Sequence, residues 1–233
     1  MTIPKELQAL KRTAFVPTLK DGPGDERGSR FFGAPWLPEG KTWPLCKNCR
    51  LTLSLLLQIN LSELPTKAFG SEGILQVFYC FNDSPHCEVE AEAFFPRSKS
   101  VICRKVSAGE GKLGKGTPPV KKKARQIVGY EEADDYPHFE DALSDEMGLD
   151  LDEDFYDEDE IMDLTCTGHK VAGWPCWVQG AERPKCSQCQ KSMHVLMQID
   201  SDESLGVQWG DVGIAHLTQC PDHHDELAFG WAC

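Results

Sequence analysis

The sequence repeats itself. Residues 33–80 align without a gap on residues 173–220, at a constant offset of 140 positions, and 14 of the 48 aligned positions are identical. Self-similarity at a fixed offset is the signature of a repeated structural unit. We therefore expect a tandem duplication in which both units have the same order of strands. Three of the identical positions are cysteine pairs: Cys46/Cys186, Cys49/Cys189 and Cys80/Cys220.

Each unit has the pattern of a β structure. A Gly/Pro-rich entry leads to a CxxC turn and then to an apolar stretch, and after a loop comes a second apolar run. Short apolar runs bounded by Gly and Pro are typical of strands. The sequence thus predicts a mainly β, roll-like fold in which each unit carries a zinc knuckle. A helix is predicted for Pro4 to Ala14, because Leu7 and Leu10 recur at helical spacing.

Eleven cysteines and a start that does not resemble an export signal favour metal thiolates over disulfides, and a cytoplasmic location. A CxxC turn supplies two thiolates to a tetrahedral zinc site, and a more distant pair completes it. With four protein ligands each, we expect two structural zinc ions. Buried apolar cysteines are the alternative, which the matched spacing opposes. The predicted ligands are Cys46, Cys49, Cys80 and Cys87 in the first unit and Cys186, Cys189, Cys220 and His223, with His224 as an alternative to His223, in the second.

The remaining cysteines, Cys103, Cys166, Cys176 and Cys233, have no partner in the repeat, and we interpret them as ordinary thiols. A nucleophilic pair of Cys176 with His169 is conceivable, but the sequence contains nothing that would orient it. No catalytic residue is therefore assigned.

Charge is segregated within the chain. The net charge is −13, yet residues 97–130 hold ten basic residues against Glu110 alone, and residues 131–163 hold 17 acidic residues without Lys or Arg. The acidic composition of residues 131–163 predicts either a surface for a basic partner or an internal brace that folds against the basic residues 97–130. We expect partly helical structure at 138–148 and 153–163. The predicted organisation is 1–30 lead-in, 31–96 first unit, 97–165 charged insert and 166–233 second unit, with the two units packed as one domain.

The chain resembles the YwqG-like family of bacterial proteins. The resemblance is carried by GWPCWVQG (173–180), CSQC (186–189), LMQIDSD (196–202) and WGDVGIAHLTQCPDHHDELAFGW (209–231). The layout is also similar to that of programmed cell death protein 2 and its yeast relatives, which act as chaperones for a basic small-subunit ribosomal protein. The resemblance implies a mainly β fold of roll type, without established catalytic residues, and chaperone activity as an analogy.

These features together predict a non-enzymatic, zinc-stabilised protein-binding or chaperone-like module that holds a basic polypeptide such as a ribosomal protein. The first alternative is an enzyme with a cleft between the units. The second is nucleic-acid binding through the knuckles and KKKAR (121–125), which the neighbouring acidic segment opposes. The longest apolar run, Leu55–Leu57, is too short to cross a membrane.

Overall fold

The structure, a computed structural model, describes residues 3, 5–118, 120–142 and 164–233. Its regular elements are mostly strands, which confirms the prediction of a mainly β fold. The strands in chain order are β1 (Arg12–Asp21), β2 (Arg30–Phe31), β3 (Trp36–Pro38), β4 (Ser54–Asn60), β5 (Ile74–Tyr79), β6 (Val101–Val106), β7 (Gly111–Leu113), β8 (Arg125–Asp135), β9 (Lys170–Ala172), β10 (His194–Asp200), β11 (Ile214–Gln219) and β12 (Leu227–Ala232). The helices are α1 (Lys5–Ala9), α2 (Cys87–Glu90) and α3 (Phe139–Ala142), with a 3₁₀ turn at Leu61–Glu63.

Ten strands form one large sheet in the order β12-β11-β10-β9-β1-β8-β2-β4-β5-β6, while β3 and β7 form a separate pair. The neighbouring strands pair in antiparallel fashion. The sheet is nearly closed, because the edge strands β12 and β6 approach each other. The Trp231 amide donates to the Phe94 carbonyl at 3.0 Å, and its indole Nε1 donates to the Tyr79 hydroxyl at 3.0 Å.

The two sides of the sheet match in detail. Strands β10 and β11 have the bounds of β4 and β5 shifted by 140 residues. A register shift occurs between Leu55 and Leu57 on one side and between Val195 and Met197 on the other. Read outward from the central pair β1 and β8, the strand order is β9-β10-β11-β12 on one side and β2-β4-β5-β6 on the other. Both halves therefore have the same framework of strands.

The first strands of the two halves are exchanged. β1 precedes β2 in the chain, but it pairs with β8 and β9. Correspondingly, β8 precedes β9 but pairs with β2. Each half of the sheet is thus extended by the first strand of the other half, which couples them through backbone hydrogen bonds.

The core lies between the two halves and is rich in aromatic rings. Tyr79 from β5 meets Trp209 edge-on at 5.6 Å between ring centroids and Phe229 at 6.0 Å. Trp209 in turn contacts Phe229 at 5.6 Å and Trp231 at 6.1 Å. Because residues of both halves share this cluster, its burial stabilises the halves together rather than separately.

A buried cation occupies the same position of both halves, Arg30 in β2 and Lys170 in β9, each 1% exposed. The Arg30 guanidinium donates to the carbonyls of Asp25 at 2.8 Å and Gly28 at 3.3 Å, and burial lowers its pKa to about 10. Lys170 instead forms an ion pair with the buried carboxylate of Asp135, at 2.9 Å between Nζ and Oδ2. The two halves therefore satisfy the same buried charge in different ways.

A buried glutamine connects strand and entry loop in each half. Gln58 Oε1 accepts from the Trp36 amide at 2.9 Å, and its Nε2 donates to the Gly28 carbonyl at 3.0 Å. Gln198 Oε1 accepts from the Cys176 amide at 2.7 Å, and its Nε2 donates to the Gly168 carbonyl at 2.9 Å. Both glutamines are fully buried, so water cannot replace these bonds when the side chain is removed.

We expect Gln58→Leu and Gln198→Leu to lower the free energy of unfolding by about 1–3 kcal/mol each, since each leaves buried backbone groups without partners. Urea denaturation measures this loss. Gln208→Leu, at an exposed position, is the matched control and should change stability by less than about 0.5 kcal/mol. A large loss in only one of the two buried variants would contradict the equivalence of the halves.

The N-terminal helix is shorter than predicted. The pattern indicated a helix from Pro4 to Ala14, whereas α1 covers only Lys5–Ala9 and β1 begins at Arg12; Pro4 lies outside the described residues. The reason is tertiary: Ala14 pairs with Ala133 of β8 and Ala172 of β9, and sheet pairing on both sides overrides local helix propensity.

The charged segment 97–165 contains regular structure. It supplies β6 and β8 to the large sheet, and it also contains β7 and α3. β7 pairs with β3 although the sequence around β7 has a linker-like composition. Of the expected helix at 138–148, α3 covers four residues, and residues 143–163, with the second expected helix, lie outside the described residues. None of the helices in the described ranges is long and apolar enough to cross a membrane.

Candidate metal centres

Two CxxC turns, at 46–49 and 186–189, have the same backbone geometry. In the first, the Cys46 amide donates to the Leu51 carbonyl at 2.8 Å and the Arg50 amide donates to the Cys46 carbonyl at 3.0 Å. Arg50 takes a left-handed conformation with φ of 66°, and Gln190 at the equivalent position has φ of 60°. This tight turn directs both cysteine side chains of each motif to one side.

The first cluster combines the turn with two later cysteines. Cys80 follows directly after β5, and Cys87 begins α2. The Sγ atoms of Cys46 and Cys87 are 3.9 Å apart, and those of Cys49 and Cys80 are 3.7 Å apart. All four ligand atoms lie within 4.8 Å of one another. The fold thus brings together the four residues that the sequence predicted for this unit.

The second cluster has three thiols and one imidazole. Cys189 Sγ lies 3.6 Å from Cys220 Sγ. His223 Nδ1 lies 3.6 Å from Cys186 Sγ and 3.7 Å from Cys220 Sγ. The alternative residue, His224, directs its Nε2 toward the Pro221 carbonyl at 3.1 Å. Of the two neighbouring histidines, the cluster contains His223.

These distances fit a tetrahedral metal site. With metal–sulfur bonds of about 2.3 Å and metal–nitrogen bonds of about 2.0 Å, tetrahedral angles place sulfur atoms about 3.8 Å apart and sulfur and nitrogen about 3.5 Å apart. A disulfide would require sulfur atoms about 2.05 Å apart, and all eleven cysteines are free. Each group can therefore hold a metal ion with four protein ligands.

Backbone amides donate hydrogen bonds to two thiols of the second cluster. Cys186 Sγ accepts from the Gln188 amide at 3.4 Å, and Cys220 Sγ accepts from the His223 amide at 3.3 Å. Burial opposes ionisation of Cys186, but hydrogen bonds from the amides of Cys189 and Gln188 and from neighbouring thiols outweigh it and lower its pKa to about 6. A thiolate is the form that binds metal.

The first cluster contains a contact that the sequence did not reveal. Asn48 Nδ2, within the CxxC turn, donates to Cys87 Sγ at 3.4 Å and reaches the Glu90 carboxylate at 3.3 Å. An amide donor of this kind holds the more distant ligand in place from outside the ligand set. In the sequence, the feature that could have indicated this contact is the position of Asn48 between Cys46 and Cys49.

The other thiols lie outside both clusters: Cys103, Cys166, Cys176 and Cys233. His169 is engaged elsewhere, because its Nδ1 accepts from the Asp200 amide at 3.0 Å and its Nε2 lies 3.2 Å from the Asp202 carboxylate. Burial raises the pKa of the Cys176 thiol and thereby disfavours its nucleophilic form. The sequence assigned no catalytic role to this pair, and these contacts give it none.

The fold and the two clusters define a class of protein: a mainly β chain with two cysteine-rich centres that can each hold a metal ion. The chain belongs to the family described as Domain of unknown function (DUF1963), whose profile matches residues 29–229. The match contains both clusters and begins after β1. A search among curated proteins gave no match. The more specific similarity to the YwqG-like family and to programmed cell death protein 2 stays a prediction.

Proposed function

We propose that the protein is a non-enzymatic protein-binding module in which each half is stabilised by one structural zinc ion. The observation that carries the proposal is the pair of closed four-residue clusters at equivalent places of the sheet. A site in which the protein supplies all four tetrahedral ligands has no position for water or substrate, which is typical of structural zinc.

The ligand chemistry favours zinc over other divalent ions. One cluster offers four thiolates and the other three thiolates and an imidazole. Soft sulfur ligands in tetrahedral arrangement select zinc or iron–sulfur chemistry, and sets of four cysteines or of three cysteines and a histidine are standard structural zinc sites.

We infer further that the two halves arose by duplication of one zinc-bearing unit. The inference is supported by the matched strand order, the matched register shifts and the equivalent buried glutamines Gln58 and Gln198. Independent origins would have to reproduce each of these details at the same offset of 140 residues, which the 14 identities in the alignment also oppose.

The charge distribution suggests the partner. Glu131 and Glu132 are exposed on β8, whereas Asp134, Asp135 and Asp141 already have cationic partners in Lys11, Lys170 and Arg183. Eleven more acidic residues follow within residues 143–163. A run of carboxylates with no Lys or Arg among them in the sequence attracts a basic polypeptide and speeds its capture. We propose that this acidic stretch holds a basic segment of a partner, such as that of a ribosomal protein.

Neutralising part of the acidic stretch tests this function. Replacing Asp150, Asp152, Asp154, Asp157 and Asp159 with Asn should weaken binding of a labelled Lys/Arg-rich peptide about tenfold and reduce its salt dependence. Fluorescence anisotropy at several salt concentrations measures both effects. Thermal unfolding of the same variant should be nearly unchanged, because neighbouring like charges repel one another and add little stability.

A matched control removes the same number of charges elsewhere. It neutralises five exposed carboxylates, Glu39, Glu72, Glu92, Glu110 and Asp211, and should change peptide binding far less. If the Asn variant instead loses stability and keeps its peptide affinity, the acidic stretch is an internal brace on the basic segment 97–130. That result would contradict the proposed function.

A further inference from the structure

Each half of the protein contains a cleft at the same place, beside its metal cluster. The first cleft has a volume of about 340 Å³ and the second of about 770 Å³. Six lining positions are equivalent, namely Phe32/Ala172, Gly33/Gly173, Ala34/Trp174, Trp43/Arg183, Ser54/His194 and Leu55/Val195. Because these positions match, the difference in volume must come from residues that line only one of the two clefts.

The first cleft is crossed by a segment of the chain itself, residues 114–118, which we call the strap. The Gly114 amide donates to the Pro35 carbonyl at 2.8 Å. The strap lies so close to the Trp43 ring that a Cβ on Gly116 would be 2.7 Å from it. Beyond the strap, Lys122 Nζ lies 4.7 Å from the centroid of the Phe81 ring. This half thus shows that the cleft accommodates a segment of backbone.

In the second cleft, the residues that precede β1 take another course. They form α1, Leu7 is fully buried, and the Leu10 carbonyl accepts from Trp174 Nε1 at 2.8 Å. Within the described ranges, the cleft lining includes no strap comparable to residues 114–118. The greater volume of the second cleft corresponds to the space that the strap fills in the first.

The chemistry of the second cleft is cationic on an apolar floor. The Arg12 guanidinium lies 3.4 Å from the centroid of the Trp174 ring, and Arg12 is exposed. Its one protein hydrogen bond in the described chain is a long one, 3.4 Å to the Gly173 carbonyl. Phe69 and Met193 add apolar surface to the lining.

Among the described residues, the carboxylates that act on Arg12, Asp135 and Asp141, are paired with Lys170 and Arg183. Asp222, near His194, pairs with Lys191 at 2.6 Å. Burial and the nearby positive charges of Arg12 and Arg183 lower the pKa of His194. With the acidic residues of these pairs engaged, Arg12 supplies the surplus positive charge.

We propose that the second cleft binds an extended segment of a partner protein that carries an acidic side chain, its backbone crossing Arg183 as the strap crosses Trp43 and its carboxylate bonded to Arg12. A guanidinium–carboxylate contact is among the stronger polar interactions available to such a ligand. This surface is chemically opposite to the acidic stretch, so the inference does not rest on the basic partner proposed above.

The test uses two labelled peptides patterned on residues 114–122, the acidic peptide GEGTPPVEE and its neutral version GQGTPPVQQ. Titrated with the full chain as purified, the acidic peptide should bind saturably, and the neutral one should bind far more weakly. Arg12→Ala should weaken the acidic peptide about fivefold or more. Lys20→Ala, an exposed cation on the same strand, is the matched control and should leave the affinity unchanged.

Equal binding of both peptides, equal effects of the two variants, or no saturable binding at millimolar concentration would overturn the proposal. A further chain replaces residues 143–163 with a neutral linker of equal length. If the acidic peptide binds only to that chain, the occupant is the chain's own acidic stretch and the proposed partner is wrong. Because Arg12→Ala should leave binding of the Lys/Arg-rich peptide intact, failure here is distinguishable from failure of the proposed function.

Discussion

The purified protein should contain close to two zinc ions per chain, and removing them with a strong chelator should lower the unfolding temperature by about 10 °C or more. Structural zinc contributes its binding energy directly to folding, and in a chain of this size about 1 kcal/mol corresponds to about 2–4 °C. Elemental analysis gives the metal content and calorimetry gives the temperature shift. Restoring zinc should restore the original transition.

Single substitutions assign each ion to its cluster. Cys46→Ser and Cys186→Ser should each reduce the content from about two ions to about one, whereas Cys103→Ser, outside both clusters, should retain both. Two results together would contradict the metal assignment: the purified protein contains no metal, and its thiol reactivity after denaturation is the same with and without chelator. Iron in place of zinc would leave the clusters intact as metal sites and correct the identity of the ion.

A second large effect is expected from the buried ion pair. Asp135 is fully buried and accepts three bonds, from Lys170 Nζ at 2.9 Å, the Cys166 amide at 2.8 Å and the Trp174 amide at 2.7 Å. Asp135→Asn leaves the buried ammonium of Lys170 without its counter-charge. Removing one partner of a buried pair costs about 3–5 kcal/mol, which urea denaturation at neutral pH would measure.

The neighbouring residue provides the control. Asp134 pairs with Lys11 at 2.6 Å, but both side chains are well exposed, at 64% and 44%. Asp134→Asn should therefore cost less than about 1 kcal/mol. Replacing both partners in the double variant Asp135→Asn/Lys170→Met should recover part of the loss, because no unpaired charge remains. Similar losses in the two single variants would show that the buried pair contributes little.

Much of the sheet could be predicted from the sequence, because the repeat is visible at one offset and the apolar runs are local. The apolar stretch after each CxxC turn overlaps β4 or β10, and the second apolar run of each unit contains β5 or β11. The central pair could not be predicted. β1 has no recognisable counterpart in the aligned repeat, and its pairing with β8 and β9 depends on contacts far apart in the sequence.

The two candidate metal sites show the same division between local and distant information. A CxxC turn is defined by four consecutive residues, so its two ligands follow from spacing alone. The choice between His223 and His224 depends on how the chain turns after Cys220, where the His223 amide bonds to the Cys220 sulfur. The sequence did not predict the second cleft. Its size depends on which segments line it, and among the described residues no strap does so. A local sequence pattern carries no information about such a distant segment.

The exchange of β1 and β8 has a consequence for how the chain is made. During synthesis β2 emerges long before β8, its partner in the sheet, and β1 must wait for β9, which follows the whole charged segment. The first unit therefore leaves the ribosome with an unpaired strand edge and keeps it until most of the chain has been translated. If the cluster of Cys46, Cys49, Cys80 and Cys87 binds a metal ion early, that ion would stabilise the first unit until the second unit has been translated.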